Sequence, residues 1–302
     1  MSKILVTGGA GFIGSHVVDA LLARGDEAHA LDDLSKGQVT NLAERVPLHV
    51  LDIASGVLDR LFREQRFDAV VHCAAQTNVM RSLEDPELDR RINVDGLRRV
   101  LNTAESAGCA RFVFISSGGA AYGETPVPAT EVTEPRPDNP YGRHKVAGEA
   151  IVAASATHGV SLRLSNVYGP RQRSDSEGGV ISIFADRLAA GEPLLVYGDG
   201  AQQRDFVHVD DVVSAILLAL DDASMSGIWN VGTGVPTTVS DLALLMIREF
   251  GGQGGISFLP ERHEIRRSCL DVSKLVATGR WAPRHALADG IASLAEHVRA
   301  AT

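Results

Sequence analysis

In the run Asn139–Lys145, NPYGRHK, Tyr141 and Lys145 stand four positions apart. On a helix that spacing puts them on one face. An unperturbed tyrosine ionises only near pH ~10, too high for a base at neutral pH. A nearby ammonium favours the phenolate and brings the group toward the neutral range. The pair can therefore take a proton from a hydroxyl, although the spacing alone is common on protein surfaces. A second source of hydroxyls is Ile115–Glu124, ISSGGAAYGE, where Ser116 and Ser117 close an apolar run and two glycines follow. That segment offers a hydroxyl and holds no acid before Glu124.

Near the amino terminus the chain reads TGGAGFIGS, with Gly8, Gly11 and Gly14 between an apolar run and a helical pattern. A glycine turn there lets backbone N–H groups approach a pyrophosphate, and the helix N-terminus favours its charge. The spacing is GxxGxxG, not GxGxxG. A second apolar run ends at Asp32, whose carboxylate can accept hydrogen bonds from the ribose hydroxyls of an adenosine. It would also oppose a 2′-phosphate, so these residues specify a dinucleotide site that prefers NAD to NADP.

The elements that must position these groups follow from periodicity. KILVTG, Lys3–Gly8, is a continuous apolar run of the kind a buried parallel strand shows. Further strands are expected at Glu27–Leu31, Leu48–Leu51, Ala69–His72, Arg111–Ile115 and Ser161–Leu164. Helices are expected to separate most of them, notably Leu88–Ala107 and Tyr141–His158. Alternating strands and helices predict an α/β fold, a Rossmann-type doubly wound parallel sheet. After Asn166 glycine and proline become frequent and the elements shorten. Residues 1–166, with about 205–235, are read as the NAD-binding domain, and 167–204 with about 236–302 as a smaller C-terminal α/β substrate lobe.

Composition limits the partners. The formal charge of −9 over 302 residues argues against nucleic acid. Cys73, Cys109 and Cys269 are scattered and lack metal spacing, so free thiols in a reducing cytoplasm are expected, with no zinc site. The histidines, Trp229 and Trp281 likewise fall in no ligand or triad spacing and read as structural. No signal-peptide pattern is present, and no apolar run reaches the ~18 residues of a membrane span.

The motifs TGGAGFIGS, LDDLSKG, Asp52–Ile53, HCAAQ (His72–Gln76), SSGGAAYGE, PYGRHK, NVYGPRQ and RDFVHVDD carry a resemblance. Over essentially its full length the chain resembles the extended short-chain dehydrogenase/reductase superfamily, in its NAD-dependent nucleotide-sugar epimerase/dehydratase group. The resemblance implies NAD held through the cycle, a nucleotide-sugar substrate and a homodimer paired by two helices per subunit. By position it implies that Phe12 and Ile13 meet the cofactor at the helix start. Asp32, Asp33, Ser35 and Lys36 would contact the adenosine, and Asp52 and Ile53 would flank the adenine. Ala74, Ala75 and Gln76 would line the pyrophosphate and nicotinamide ribose. Tyr141 and Lys145 match the base and its helper. Asn166 would reach the sugar diphosphate and Tyr197 would stack near the uracil. Arg204 and Arg262 would meet the diphosphate with planar guanidinium forks. Because PERHEIRRS runs shorter than the usual pattern, Arg266 and Arg267 are alternatives to Arg262.

Many members of this group carry Ser or Thr where this chain has Gly118. Ser117 is the nearest hydroxyl, and the glycine after it is expected to act as a hinge that bends the strand end toward the cleft. Related 4,6-dehydratases place an Asp-Glu pair just beyond, and related decarboxylases one Glu; Gly119 and Ala120 stand there instead and move no protons. What remains is oxidation and reduction at one carbon with a cofactor that stays bound. The expectation is a UDP-sugar 4-epimerase in which Tyr141 is the base, Ser117 orients the C4 oxygen, and Lys145 holds the nicotinamide ribose. The sugar stays open among glucose, N-acetylglucosamine and glucuronate. A 4-ketoreductase and an NAD(H)-sensing binding protein of the same fold are the alternatives.

Overall fold

A computed structural model of the chain describes residues 1–175, 179–252, 254–262 and 264–301. The strands are β1 (Lys3–Thr7), β2 (Glu27–Asp32), β3 (Leu48–Val50), β4 (Ala69–His72), β5 (Arg111–Ser117), β6 (His158–Leu164), β7 (Asn166–Tyr168), β8 (Leu194–Tyr197), β9 (Gln203–His208), β10 (Gly227–Val231), β11 (Pro236–Thr238), β12 (Ile256–Leu259) and β13 (Arg267–Ser268). A seven-stranded parallel sheet runs β3-β2-β1-β4-β5-β6-β10. Strand order reverses between β1 and β4, which opens a crevice at the carboxyl ends of those strands, where such sheets bind ligands.

The sheet is doubly wound because its strands are apolar on both faces. Along β1, Ile4 and Val6 enter one core and Leu5 the other; along β5, Val113 and Ile115 oppose Phe112 and Phe114. The second core takes the helices Leu58–Gln65, Leu97–Ser106 and Pro140–Ala153, and the first takes Phe12–Ala23 and Val209–Asp221. A third core gathers Tyr168, Phe184, Leu194, Phe206, Leu242 and Ile291 around two smaller sheets. One holds β7, β9, β11 and β13, the other β8 and β12. Within 205–234, β9 therefore lies in a small sheet, while the helix Val209–Asp221 and β10 join the large one.

Three sequence expectations differ from the structure. The long helix expected over Leu88–Ala107 is divided into Pro86–Arg90, a π-helical turn Arg91–Gly96, and Leu97–Ser106. The helix begun by Pro140 ends at Ala153, and His158 already starts β6. The expected glycine hinge after Ser117 is the first turn of a helix, Gly118–Tyr122. A Cβ on Gly118 would lie 2.6 Å from the end of the Leu270 side chain, which would have to shift to admit it.

Candidate active site

The helix Phe12–Ala23 begins at Gly11 without a side-chain cap. Its first N–H groups have no intrahelical partner, and with the positive end of the helix dipole they suit an anion. A Cβ on Gly14 would lie 2.1 Å from the carbonyl oxygen of Gly8, so glycine alone lets the helix start so close to the turn. Asp32, 7% exposed, accepts from the backbone N–H of Ala10 at 3.0 Å and of Leu34 at 2.9 Å. Burial raises its carboxyl pKa against the pull of those bonds. Each oxygen keeps a further lone pair for a ribose hydroxyl.

The neighbouring loops build the rest of the cradle. Asp33 accepts from the N–H and hydroxyl of Ser35 at 2.9 and 2.6 Å, and Lys36 donates to the carbonyl of Asp175 at 3.1 Å. Asp52 accepts from Ala54 N–H at 2.8 Å and pairs with Arg91 at 3.1 Å, while Ile53 is buried beside it. Ala74 N–H donates to Thr7 Oγ1, which contacts Nδ1 of His72 at 2.8 Å. Burial pushes the pKa of His72 down to about 3, with Lys145 adding to the shift, so the ring is a neutral floor beneath the loop. Ala74, Ala75 and Gln76 are half-buried. Gln76 spends both amide hydrogens inside the protein, on Asn78 O at 2.9 Å and Asp89 at 2.6 Å. It shapes the loop rather than donating to a ligand. An uncapped helix start, a carboxylate at the end of β2 and this wall fit an adenosine dinucleotide.

The helix Pro140–Ala153 starts where Asn139 caps it, accepting from Gly142 N–H at 2.9 Å, with Pro140 in the first turn. It presents Tyr141, Lys145 and Glu149 at successive four-residue steps. Lys145 is buried, donates to the carbonyl of Ile115 at 2.9 Å, and places its ammonium 5.7 Å from the centre of the Tyr141 ring. Burial lowers its pKa to about 8, against the opposing influence of Cys73, Asp89 and Glu149. Glu149 accepts from Ser116 Oγ at 2.6 Å and forms a buried pair with Arg163 of β6 at 2.5 Å. That pair claims Ser116, while Ser117, half-buried, caps the helix Gly118–Tyr122 through a long contact of 3.4 Å from the N–H of Ala120, its one side-chain bond among the described residues.

The two serines should therefore respond differently. Ser117→Ala is expected to lower kcat about tenfold or more with little change in Tm. Ser116→Ala removes a bond to a buried carboxylate and should chiefly cost stability, about 1.5–3 kcal/mol. Steady-state rates and thermal melts of both variants read this, and the reverse ranking of kcat would assign the hydroxyl to Ser116.

On the opposite wall Tyr197 ends β8, and Arg262 stacks on it with its guanidinium 4.0 Å from the ring centre. Arg204 of β9 pairs with Glu264 at 3.2 Å, and burial lowers its pKa. Arg266 is engaged by Asp199 at 3.0 Å and by Glu261 at 3.4 Å. Arg262 has no carboxylate partner among the described residues, which favours it over Arg266. The Arg267 Nε is buried without a partner among them. His263 lies outside the described residues. Asn166 is exposed at the start of β7. Sequence reasoning missed Glu149, Arg163, Asp89 and His144; the four-residue step from Lys145 to Glu149 was the available signal for the first.

Distant segments also gather a cluster that spacing could not show. His208, Asp210 and His285 bring possible ligand atoms within 4.8 Å of one another. Both Nδ1 atoms are already used, His208 accepting from Asp210 N–H at 3.3 Å and His285 meeting Asp211 at 3.0 Å. These bonds cap the helix Val209–Asp221 and tie the 285 segment to it.

Fold and site together define a dinucleotide-dependent enzyme of the short-chain dehydrogenase type, with a tyrosine–lysine pair facing a serine-ended strand. The chain belongs to the NAD dependent epimerase/dehydratase family, whose model matches residues 4–232. Its cofactor is NAD. A UDP-glucose 4-epimerase of Mycolicibacterium smegmatis is 39% identical, over 98% of this chain and 98% of its own. The crystal structure of UDP-glucose 4-epimerase with UDP-glucose from Thermotoga maritima superposes with a TM-score of 0.95 at 38% identity, covering 99% of both chains. The Thermus thermophilus UDP-glucose 4-epimerase complex with NAD gives 0.94 at 39%, covering 99% of this chain and 100% of that one. Among the described residues no helix is long and apolar enough to cross a membrane.

Proposed function

We propose that the chain is an NAD-dependent UDP-sugar 4-epimerase of the UDP-glucose/UDP-galactose type. The observation that carries this is the pairing of Tyr141 and Lys145 with a strand end whose next turn, Gly118–Tyr122, contains no carboxylate. As phenolate, Tyr141 takes the proton from the C4 hydroxyl, and Ser117 holds that oxygen in place. A nicotinamide held beside this pair would take the C4 hydride and give it back to the same carbon. Tyr141 returns the proton once the 4-keto sugar has turned its other face to the cofactor. Arg204 and Arg262 anchor the diphosphate while the sugar turns, with Tyr197 beside the uracil and Asn166 at the diphosphate.

The regions 167–204 and about 236–302 supply that anchor and form the substrate lobe in this reading, supported by their separate core. A homodimer is proposed as well, supported by the exposed Val79, Met80 and Leu83 on the helix Val79–Glu84. A cytoplasmic setting accords with three cysteines that form no disulfide, of which Cys109 and Cys269 have thiol pKa values pushed up by burial to about 11 and about 12.

Incubation with UDP-glucose and UDP-glucuronate, followed by mass spectrometry and analysis of C4 configuration, tests the reading. UDP-galactose should form from UDP-glucose without change of mass. A 4-keto-6-deoxy product or a pentose would overturn it, since each needs proton transfers that Gly119 and Ala120 cannot perform. Unchanged mass with no inversion at C4 would favour a reductase or a binding protein. Inversion confined to another UDP-sugar, N-acetylglucosamine or glucuronate, would move the substrate and keep the mechanism.

A further inference from the structure

Asp89 is a fully buried carboxylate hydrogen-bonded by a histidine and an amide, with the Lys145 ammonium acting on it at longer range. Its Oδ1 meets Nδ1 of His144 at 2.5 Å and its Oδ2 accepts from Nε2 of Gln76 at 2.6 Å. A carboxylate only accepts, so His144 carries its proton on Nδ1 and Gln76 turns its NH2 toward Asp89. The carbonyl of the same Gln76 amide accepts from Asn78 N–H at 2.6 Å. The Gln76 backbone is held too: its N–H donates to Asn93 Oδ1 at 3.0 Å, and Asn93 Nδ2 donates to its carbonyl at 2.9 Å.

Three elements thus converge on one loop residue. His144 belongs to the helix that carries Tyr141 and Lys145, Asp89 to the helix Pro86–Arg90, and Asn93 to the π-helical turn Arg91–Gly96. Burying a carboxylate with no cation in direct contact is costly unless its bonds are well made. This arrangement makes them and fixes the loop after β4 to the catalytic helix.

We propose that Asp89 and His144 are a positioning pair that locks the Ala74–Gln76 loop against the catalytic helix and so retains the dinucleotide between half-reactions. The proposal rests on the NAD-dependent epimerase reading. Epimerisation returns the hydride to the molecule it came from, so reduced cofactor that escapes mid-cycle leaves a dead enzyme and a free keto sugar. The wall beside the cofactor must then not open faster than the sugar turns.

The test compares wild type, His144→Ala, His144→Asn and Asp89→Asn, each loaded with NADH and chased with excess NAD, with release followed by NADH fluorescence. His144 is partly exposed, with 18% of its side chain accessible, so its replacement should be tolerated. His144→Ala and Asp89→Asn should release NADH about tenfold faster or more. His144→Asn keeps a donor near the place of Nδ1 and should stay within about threefold of wild type. A merely structural role would lower Tm without changing release, and would not separate Asn from Ala. Release from His144→Ala at the wild-type rate overturns the proposal, as does His144→Asn releasing as fast as His144→Ala. Should Asp89→Asn fail to fold, the two His144 variants still decide. A wild type that binds no NADH would instead overturn the epimerase reading itself.

Discussion

Tyr141→Phe is expected to keep the fold and the bound NAD while lowering kcat by about 10²–10⁴-fold, the usual contribution of a positioned acid–base group. The phenylalanine ring fills the same half-buried place, and the backbone bond from Tyr141 N–H to Ser82 Oγ at 3.3 Å does not involve the hydroxyl. The phenolic oxygen, the proton acceptor in the proposed mechanism, is what the substitution removes. The measurement is steady-state epimerisation together with the NAD content of the purified variant. A loss of less than about tenfold would remove Tyr141 from the mechanism, and loss of NAD with activity would mean the ring supports the cofactor instead.

Lys145→Met is expected to lower activity most at neutral pH and to regain part of it as pH rises toward ~10, the unperturbed tyrosine value. The ammonium beside the Tyr141 ring favours phenolate, so removing it sends the tyrosine pKa back up and leaves less base at pH 7. Activity limited by the phenolate fraction should rise about tenfold per pH unit below that pKa. The fold should survive. Lys145 has a folded pKa of about 8 against a reference of 10.5 because burial disfavours its charge. It therefore opposes folding at neutral pH, and that opposition fades as pH rises from about 8 to 10.5. Lys145→Met should accordingly be no less stable than wild type at pH 7, which a thermal melt reads. A flat pH profile of reduced activity would mean that Lys145 acts only by holding the ribose.

Much of the cofactor half of the site was legible in the sequence. The strand Ala69–His72 was read residue for residue, and β1, β2 and β5 were read to within their ends. Each is a short apolar run buried on both faces, a pattern few other contexts produce. Gly8, Gly11, Gly14 and Asp32 were equally readable, since a strand–helix turn and the end of the next strand lie at short, regular distances in the chain. Helical spacing put Tyr141 and Lys145 on one face, and only the glycine turn and the Ser116/Ser117 strand end beside it marked them as a candidate pair. Element ends were less legible: the π-helical turn at Arg91–Gly96 leaves the hydrophobic pattern of a single helix intact, and it is Asn93 reaching Gln76 that gives the turn its purpose.

The sequence by itself determined the doubly wound sheet, the glycine turn and the helix face shared by Tyr141 and Lys145, because each is written in residues that are near neighbours along the chain. Tertiary structure alone decided which serine is committed to a buried carboxylate. Ser116 is taken by Glu149 from 33 residues away, and Glu149 is held in turn by Arg163 of the adjacent strand. It also placed the Leu270 side chain against Gly118, where an added Cβ would oblige that side chain to shift. It brought Arg262 onto Tyr197 and joined Asp89 to His144. Periodicity records which way a side chain points from its own element. What it meets there depends on crossovers that return distant segments to the same crevice, and no local spacing carries that information.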